Sequence, residues 1–369
     1  MLREQRKLDH IRFALELHDS SSEATGFDGI YFLHNCLTPV NPDAVDIATH
    51  IANLALPVPV FIDAITGGAE KVKEINRNLA IIARRTGMAM AVGSQYGTVK
   101  SEIHTDTYTV VREENPKGIV FANISALASP EEAAKAVEMI RADALEIHLN
   151  AAQELIMPEG DKNFAMIRKN LARLQNAVSV PVIVKETGCG MAAEQIQELQ
   201  SMGFTCFNIA GHGGTSFAAI EALRNGRPRY KKFAEWGIPT AWSLIDASHF
   251  IHPWDTLIAS GGIRSGWQAA QAIAMGADAI GMSGNILAVL LRQGIEDAVT
   301  YLQDMIDELK DIMVLTGCRT VKELQQTPLV FTGNTLDFIH SRGYNALFKR
   351  KTNFAWRTDL HEFYNCPKI

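Results

Sequence analysis

The sequence predicts a (β/α)8 TIM barrel with an N-terminal extension and an insertion between the sixth and seventh strands. Eight short apolar runs rich in β-branched residues alternate with segments of helical periodicity. The runs are almost continuously apolar, as is typical of parallel strands buried on both faces. The length of 369 residues suits one large barrel with additions. An open α/β sheet is the alternative with the same alternation.

The strands and helices follow each other regularly along the chain. The predicted strands cover residues 58–64, 88–93, 118–124, 144–150, 181–186, 206–211, 256–261 and 279–284. The predicted helices cover residues 70–85, 130–141, 161–177, 191–201, 216–224, 265–275 and 285–293. Gly87, Gly203, Gly276 and Gly294 stand where helices are expected to end, because glycine readily adopts the left-handed conformation found there.

Three segments fall outside this repeat. Residues 1–57 precede the first strand, residues 225–255 form the insertion, and a C-terminal segment follows the last helices. No Gly/Ser-rich linker or low-complexity tract divides the chain. We therefore expect one domain over residues 1–369, with the extension at 1–57, the barrel at 58–310 and the C-terminal segment at 311–369.

Composition excludes several classes of protein. The formal net charge of -6 argues against a nucleic-acid partner, which needs a basic surface. Five cysteines without a CxxC motif indicate neither a disulfide framework nor a zinc site. The charged N-terminus lacks the apolar core of a secretory signal, and the most apolar stretch, residues 279–291, is too short to span a bilayer. We expect a cytoplasmic protein with no membrane partner.

Polar residues collect where the strands end, which is where barrel enzymes place their active sites. SGGIR after the seventh strand and MSG after the eighth bring backbone N–H groups to helix N-termini. They predict a phosphate site formed by Gly261, Gly262, Arg264, Ser283 and Gly284. One glycine pair alone would indicate only a left-handed turn.

Lys185 ends an apolar strand, where a lysine is costly unless it faces a cleft or an anion. A structural ion pair with Glu186 or another carboxylate at the barrel mouth is one interpretation. The other is a cation beside a cofactor, since Lys185 with Thr66, Ser94 and Asn123 would suit the polar edge of a flavin ring. The residues alone leave both interpretations open.

Carboxylates after the fourth strand suggest a metal site. Gln153 and Glu154 follow the strand on an expected loop, with Glu159 and Asp161 close behind. Glu154 could hold Mg²⁺, which takes one or two carboxylates together with substrate phosphate oxygens. A solvated loop carboxylate is the alternative, and Glu159 and Asp161 compete for the metal role.

Two further pairs have equally ordinary alternatives. His148 and Asn150 share one face of the fourth strand by its two-residue period, but a core histidine would look the same. Arg6 and Lys7 could be solvated charges or part of an arm that folds over the site and binds an anion.

Taken together, sequence motifs along the chain resemble those of the type 2 isopentenyl-diphosphate isomerase family. The matching strings are RKLDHI, ITGG, AMAVGSQ, GIVFANI, ADALEIHLN, QELIMPEGD, PVIVKE, SGGIR and GMSG. They occur in order from Arg6 to about residue 295. HLN followed by QELxMPEGD is not a general pattern of flavin-binding barrels, so the resemblance is specific.

The resemblance implies a TIM-barrel enzyme that interconverts isopentenyl and dimethylallyl diphosphate with FMN and Mg²⁺. It implies no net redox change but a requirement for reduced FMN, supplied by NADPH or NADH. It also implies a homotetramer or homo-octamer. Our hypothesis is that the reduced flavin itself performs the acid–base chemistry.

The resemblance also implies roles for individual residues. FMN contacts are expected from Ala64, Ile65, Thr66, Ser94, Asn123, Lys185 and Thr215, and phosphate contacts from Gly261, Gly262, Arg264, Ser283 and Gly284. Substrate contacts are expected from Arg6, Lys7 and Gln153, to which we add Asn150, and Glu154 is the expected Mg²⁺ ligand. Gln153 and His148 are the candidate catalytic residues, as groups that orient the substrate or relay protons. A neutral amide is a poor acid, so Gln153 is not expected to be the sole proton donor.

The chain departs from the family pattern in places. Asp63 stands where the family often has Asn, His212 is unusual in GHGGT, and residues 352–369 match nothing expected of the family. His212 also supports an alternative, an FMN-dependent 2-hydroxy-acid dehydrogenase or oxidase with this histidine as base. Thr215 occupies the place of the arginine expected there. A non-catalytic flavin-binding barrel is the third possibility.

Overall fold

The computed structural model describes residues 2–20 and 25–344, which begin with the N-terminal extension. The extension contains helix α1 (Leu2–Ser20), strand β1 (Ile30–Phe32), a 3-10 helix (Pro42–Ala44) and an antiparallel hairpin of β2 (Thr49–Ile51) and β3 (Leu54–Leu56). Ile51 and Leu56 of the hairpin pack against Phe61 and Phe121 inside the barrel. The hairpin therefore covers the amino-terminal end of the barrel.

A closed barrel of eight parallel strands forms the centre of the fold. The strands are β4 (Val60–Ile62), β5 (Met90–Ala91), β6 (Val120–Ser125), β7 (Ala144–Leu149), β8 (Val182–Glu186), β9 (Cys206–Asn208), β10 (Thr256–Ser260) and β11 (Ala279–Met282). Each strand pairs with its neighbours in chain order, and β11 closes the barrel onto β4. The predicted fold and all eight predicted strands are confirmed.

Helices surround the barrel and cover the outer faces of its strands. They are α2 (Lys73–Thr86), α3 (Tyr96–Ser101), α4 (Asp106–Glu114), α5 (Pro130–Ile140), α6 (Ala151–Ile156), α7 (Ala165–Leu174), α8 (Ala193–Ser201), α9 (Phe217–Asn225), α10 (Thr240–Phe250), α11 (Gly266–Ala274), α12 (Gly284–Gln293) and α13 (Ile295–Thr316). The four glycines expected at helix ends lie within two residues of the ends of α2, α8, α11 and α12. Ser129 caps α5 in a reciprocal capping box with Glu132.

Two parts of this helical layer differ from expectation. No helix was expected between the second and third barrel strands, yet α3 and α4 lie there. The β-branched residues of α4 are weak helix formers, but Val110 and Val111 are buried, so packing outweighs propensity. Gln153 and Glu154 lie on the short helix α6 rather than on a loop. Asn150 begins this helix, so its turn holds both side chains close to the end of β7.

The insertion and the C-terminal segment add structure outside the barrel. The insertion contains a 3-10 helix (Pro228–Glu235) and α10, and the segment contains α14 (Val321–Leu324), β12 (Leu329–Phe331) and α15 (Gly333–Ser341). β12 pairs antiparallel with β1, which joins the C-terminal segment to the N-terminal extension. The expected boundary at residue 310 falls inside α13.

Some expectations extend beyond the described residues. Residues 352–369 lie outside them, so the expectation of a single domain over the whole chain stays a prediction. Within the described part of the chain, no helix has the length and apolar character needed to cross a membrane.

Candidate active site

A cavity of about 1050 Å³ opens at the carboxyl ends of the barrel strands. Strand-to-helix loops form its walls, and α1 contributes residues to its lining. Every predicted site residue lines this cavity: Arg6, Lys7, Ala64, Ile65, Thr66, Ser94, Asn123, His148, Asn150, Gln153, Glu154, Lys185, Thr215, Gly261, Gly262, Arg264, Ser283 and Gly284. The structure therefore brings these residues together, while their individual roles stay predictions.

A buried ion pair lies at the base of the cavity. Lys185 Nζ is 3.1 Å from Asp63 Oδ2, and the side chains are 8% and 3% exposed. Asn208 Nδ2 donates to the same oxygen at 3.0 Å, and the Ala64 N–H donates to Asp63 Oδ1 at 2.7 Å. Burial opposes both charges, but their attraction and these hydrogen bonds hold the pKa of Asp63 below, and the pKa of Lys185 above, its usual value.

Lys185 therefore has a carboxylate partner, but this partner is not Glu186. The Glu186 carboxylate accepts hydrogen bonds from the backbone N–H groups of Thr187 and Gly188 at 2.6 and 2.7 Å, and from that of Cys189. It thus closes the turn after β8. Lys185 is thus ion-paired and also lines the cavity, and its place beside a cofactor stays a prediction.

A network of hydrogen bonds around Asn123 lies in the barrel interior, near the ion pair of Asp63 and Lys185. Asn123 Nδ2 donates to Glu146 Oε2 at 2.8 Å, and Asn123 Oδ1 lies 2.8 Å from His148 Nδ1. An amide oxygen only accepts, so Nδ1 carries the hydrogen and Nε2 is the acceptor of the His148 ring. Gln95 Oε1 accepts the Asn123 N–H at 3.0 Å and fixes this arrangement from behind.

Glu146 and His148, which both hydrogen-bond to Asn123, have pKa values that are shifted so as to favour their neutral forms. Burial, with the nearby charge of Asp63, raises the pKa of Glu146 to about 8. Burial, with the positive charges of Lys185 and Lys7, lowers the pKa of His148 to about 3. His148 is therefore a neutral imidazole at physiological pH. It can accept or relay a proton through Nε2 but does not donate one as an imidazolium.

His148 should make folding stability sensitive to acid. The unfolded chain binds a proton at His148 below its ordinary pKa of 6.5, whereas the folded protein does so only near 3, so acidification through this range favours unfolding. When the pH is lowered from 7 to 4.5, the free energy of unfolding should fall in both proteins. The fall should be about 2 kcal/mol smaller for His148→Gln than for the wild type. Urea titrations at both pH values measure this difference. An equal loss in both proteins would contradict the buried neutral histidine, and His50→Gln at an exposed site is the control.

The residues around Glu154 form a second polar cluster at the start of α6. Asn150 Nδ2 lies 3.0 Å from Gln153 Oε1 and from Glu154 Oε1, and the Asp161 N–H donates to Glu154 Oε2 at 2.8 Å. Glu159 instead pairs with Arg224 at 3.0 Å. Across residues 2–20 and 25–344, no group of three His, Cys, Asp or Glu side chains is arranged to hold a metal ion.

Glycines allow two loops to touch at the other side of the cavity. A Cβ on Gly262 would lie 2.3 Å from the Gly213 carbonyl oxygen, and Gly262 has a φ of +80°. A Cβ on Gly214 would lie 2.5 Å from the Gly262 nitrogen. The helices α11 and α12 begin just after these loops and after Ser283, so their N-termini face this region. Such N-termini favour anions.

Helix α1 is tied across the cavity by side-chain contacts along its length. His104 Nε2 is 2.8 Å from a Glu4 oxygen, His10 Nε2 is 2.7 Å from Glu221 Oε1, and His18 Nε2 is 2.6 Å from Asn285 Oδ1. Arg6 and Lys7 lie on the same helix and line the cavity. The arm expected from the sequence is therefore a helix, and it brings two cations to the site.

Comparison with known proteins relates this geometry to a family. A family model described as FMN-dependent dehydrogenase matches residues 109–331. The isopentenyl-diphosphate delta-isomerase of Geobacillus sp. (strain WCH70) is 41% identical over 347 residues, which cover 94% of this chain and 98% of the relative. That of Bacillus licheniformis is 42% identical over 344 residues, covering 93% and 97%. The chain belongs to the isopentenyl-diphosphate delta-isomerase family.

Membership of the isopentenyl-diphosphate delta-isomerase family confirms the resemblance that the sequence strings indicate. Among solved structures, a mandelate oxidase with an FMN adduct has a TM-score of 0.62 at 15% identity, covering 85% of this chain and 93% of its own. A mandelate oxidase with (S)-mandelic acid has a TM-score of 0.63 at 16% identity, covering 88% and 98%. These likenesses show the barrel fold alone.

Sequence reasoning missed several residues of this isomerase-family site. Glu221 is fully buried, contacts His10, pairs with Arg224, and lies 3.5 Å from Gln153 Nε2. A carboxylate within the otherwise apolar start of α9 was the available signal. Glu146 gave a similar signal, since it interrupts an apolar strand. Asp63 was noted, but its partner was not foreseen.

Proposed function

We propose that the protein interconverts isopentenyl diphosphate and dimethylallyl diphosphate in isoprenoid biosynthesis, with reduced FMN and Mg²⁺. NADPH or NADH would reduce the flavin. The observation that carries this proposal is a cavity with two separate regions whose residues would suit an anion, in a chain of the isomerase family. One region is formed by the glycine loops and helix N-termini, and the other by Arg6 and Lys7. FMN and a diphosphate substrate together need two such regions.

The cavity fits FMN in three respects. The Gly213–Gly214 and Gly261–Gly262 loops leave no room for a Cβ and line the cavity, so a phosphate there would meet backbone rather than side chains. Thr66 Oγ1 is buried without a hydrogen-bond partner among the described residues, and Thr66 lines the cavity. Lys185 supplies a cation at the base. These features support a phosphate contact at one end and polar contacts to the ring at the other.

The remaining expected FMN contacts fit with one restriction. Asn123 already uses one hydrogen of Nδ2 and its Oδ1, so a contact to FMN would use the second Nδ2 hydrogen. The phosphate would be held by Gly261, Gly262, Arg264, Ser283 and Gly284, and the other contacts would come from Ala64, Ile65, Ser94 and Thr215.

The opposite region suits a diphosphate and Mg²⁺. Arg6 and Lys7 supply positive charge, and Asn150 and Gln153 supply amide groups beside Glu154. Mg²⁺ is commonly held by one or two carboxylates and substrate phosphate oxygens, so a single carboxylate at this place fits that mode. The amides hold Glu154 without neutralising it, whereas Glu159 is balanced by arginine.

Moving the double bond requires a proton at one carbon and its removal from another. A reaction through a cationic transition state requires a site that excludes water. Reduced FMN would supply an electron-rich ring with nitrogens that can hold a proton. Helix α1 covers the cavity, and the Gln153 amide, fixed by Asn150 and Glu221, orients the alkene. Neutral His148 can relay a proton through Nε2.

We further propose a cytoplasmic homotetramer or homo-octamer. Tyr31, Leu33 and Val330 are 51%, 53% and 41% exposed on or beside the paired strands β1 and β12. Exposed apolar side chains on adjacent strands are typical of a surface that another chain covers.

A 2-hydroxy-acid dehydrogenase or oxidase is the second candidate, because the matched family model is that of FMN-dependent dehydrogenases. His212 lines the cavity, and its Nδ1 is buried without a partner among the described residues. Thr215 lines the cavity where that chemistry would need an arginine. Oxidation of lactate or glycolate to a keto acid would support this candidate. Bound FMN without turnover of any of these substrates would support the non-catalytic barrel.

An anaerobic assay tests the proposed isomerase. With dithionite-reduced FMN and Mg²⁺, the protein should convert isopentenyl diphosphate to dimethylallyl diphosphate. Removal of FMN should abolish conversion, and activity retained without flavin would contradict the proposal. Lactate and glycolate in the same preparation, with oxidised FMN, should yield no keto acid.

A further inference from the structure

Three ionisable side chains lie close together in the barrel interior, and two of them, Asp63 and Lys185, line the cavity. Asp63, Glu146 and Lys185 are all buried and come from the end of β4, from β7 and from β8. Two of them are carboxyls and one is an amine. Full ionisation would leave one unbalanced negative charge in the barrel interior, where an unpaired charge is costly.

Hydrogen bonds place the negative charge on Asp63. Its two carboxylate oxygens accept from Lys185 at 3.1 Å, Asn208 at 3.0 Å and the Ala64 N–H at 2.7 Å. Asn208 is itself held by Ser260 Oγ, which donates to its Oδ1 at 2.6 Å. A carboxylate with three donors is strongly favoured over the protonated acid.

The Glu146 carboxyl accepts fewer hydrogen bonds than Asp63, so its negative charge would be less well stabilised. Its Oε2 accepts from Asn123 at 2.8 Å, no N–H or O–H group of the described residues donates to its buried Oε1, and a hydrogen bond with Asp63 favours the protonated form of Glu146. The groups that face it are Asp63, Lys185 and Cys206, and burial keeps the pKa of that thiol well above its usual range. The charge of Asp63 raises the pKa of Glu146, and the charge of Lys185 only partly offsets burial.

We propose that Asp63 and Glu146 are positioning residues, of which only one is ionised at a time. Their single negative charge balances the positive charge of Lys185 beside the FMN. This inference rests on the FMN binding proposed above. Asp63 holds the charge in the native protein, and Glu146 is a neutral acid in reserve. If Asp63 is neutralised, Glu146 releases its proton and balances Lys185 instead.

The balanced charge has a consequence for the flavin. An unbalanced ammonium beside the ring would stabilise the more negative, reduced flavin and raise its midpoint potential. The single negative charge of Asp63 and Glu146 therefore reduces the effect of the Lys185 ammonium on the midpoint potential of the flavin. Either carboxyl alone suffices for this, whereas loss of both leaves the full charge of Lys185.

Midpoint potentials of the bound FMN at pH 7 test the sharing of charge. Asp63→Asn and Glu146→Gln alone should each change the ratio of reduced to oxidised flavin less than about threefold. The double variant should favour reduced flavin at least about tenfold, which is about 30 mV for a two-electron couple. Asp106→Asn removes an exposed carboxylate paired with Lys73 and should have no effect.

Three results would overturn the inference. The first is an unchanged midpoint potential in the double variant. The second and third are a shift in midpoint potential, in Glu146→Gln alone or in Asp63→Asn alone, as large as that of the double variant. In each case the protein would still bind FMN and convert isopentenyl diphosphate in the wild-type form, so the proposed function would stand. A wild-type protein that binds no FMN would overturn the proposed function and this inference together.

Infrared difference spectra of the holoenzyme give an independent test that does not need the double variant to fold. The wild-type minus Glu146→Gln spectrum at pH 7 should contain the C=O band of a protonated carboxylic acid. The wild-type minus Asp63→Asn spectrum should contain the same band, because Glu146 is ionised in that variant. The Asp106→Asn difference should lack it. Absence of the band from the Glu146→Gln difference would overturn the neutral Glu146.

Discussion

Replacing Glu154 by glutamine should lower Mg²⁺-dependent turnover of isopentenyl diphosphate at least about 100-fold. The substitution keeps the size of the side chain and its place beside Asn150 but removes the carboxylate. Loss of a group that only orients a metal ligand commonly costs about 10–100-fold in affinity or activity, so loss of the proposed ligand itself should reach at least the upper end. Initial rates over a Mg²⁺ titration with saturating reduced FMN measure the effect.

Two neighbouring carboxyl groups provide matched controls for Glu154. Glu159→Gln and Asp161→Asn change residues that line the same cavity, but Glu159 is paired with Arg224 and the Asp161 N–H supports Glu154 through the backbone. Both variants should retain the Mg²⁺ dependence of the wild type within about tenfold. If Glu159→Gln abolishes the dependence and Glu154→Gln does not, the metal ligand is reassigned.

Replacing Lys185 by methionine should reduce the free energy of unfolding by about 3–5 kcal/mol, because Asp63 is left as a buried carboxylate without its cation. Methionine preserves most of the volume of the lysine stem, so the effect reports the lost charge rather than a cavity. Urea unfolding of the FMN-free protein measures the change without a contribution from ligand binding.

A double variant separates the charge from the packing. Adding Asp63→Asn to Lys185→Met should restore part of the lost stability, since neither buried group is then charged. Lys73→Met, at the exposed pair with Asp106, should cost less than about 1 kcal/mol. A Lys185→Met protein as stable as the Lys73→Met variant would show that the buried pair contributes little.

The barrel could be predicted from the sequence because each of its strands is buried on both faces. A run such as residues 118–124 is apolar at almost every position, and glycines punctuate the helices between such runs. The helices α3 and α4 could not be found in the same way. The valines of α4 do not favour a helix, and its stability comes from contacts with α2 that are absent from local sequence.

The residues lining the site were predictable because barrel strands all end at one mouth. Their partners were not. Asp63 and Lys185 are 122 positions apart and meet only across the closed barrel interior. His10 and Glu221 are 211 positions apart and meet only because α1 lies across the cavity. Contacts of this kind follow from how elements pack, which periodicity and spacing do not specify.

The most direct test of the proposed function is the absorption spectrum of the flavin during anaerobic turnover of isopentenyl diphosphate. The proposed function predicts that the flavin stays reduced over many turnovers, with dimethylallyl diphosphate accumulating and no reductant consumed after the first reduction. Oxidation of one flavin for each product formed, or product formation by flavin-free protein, would contradict it.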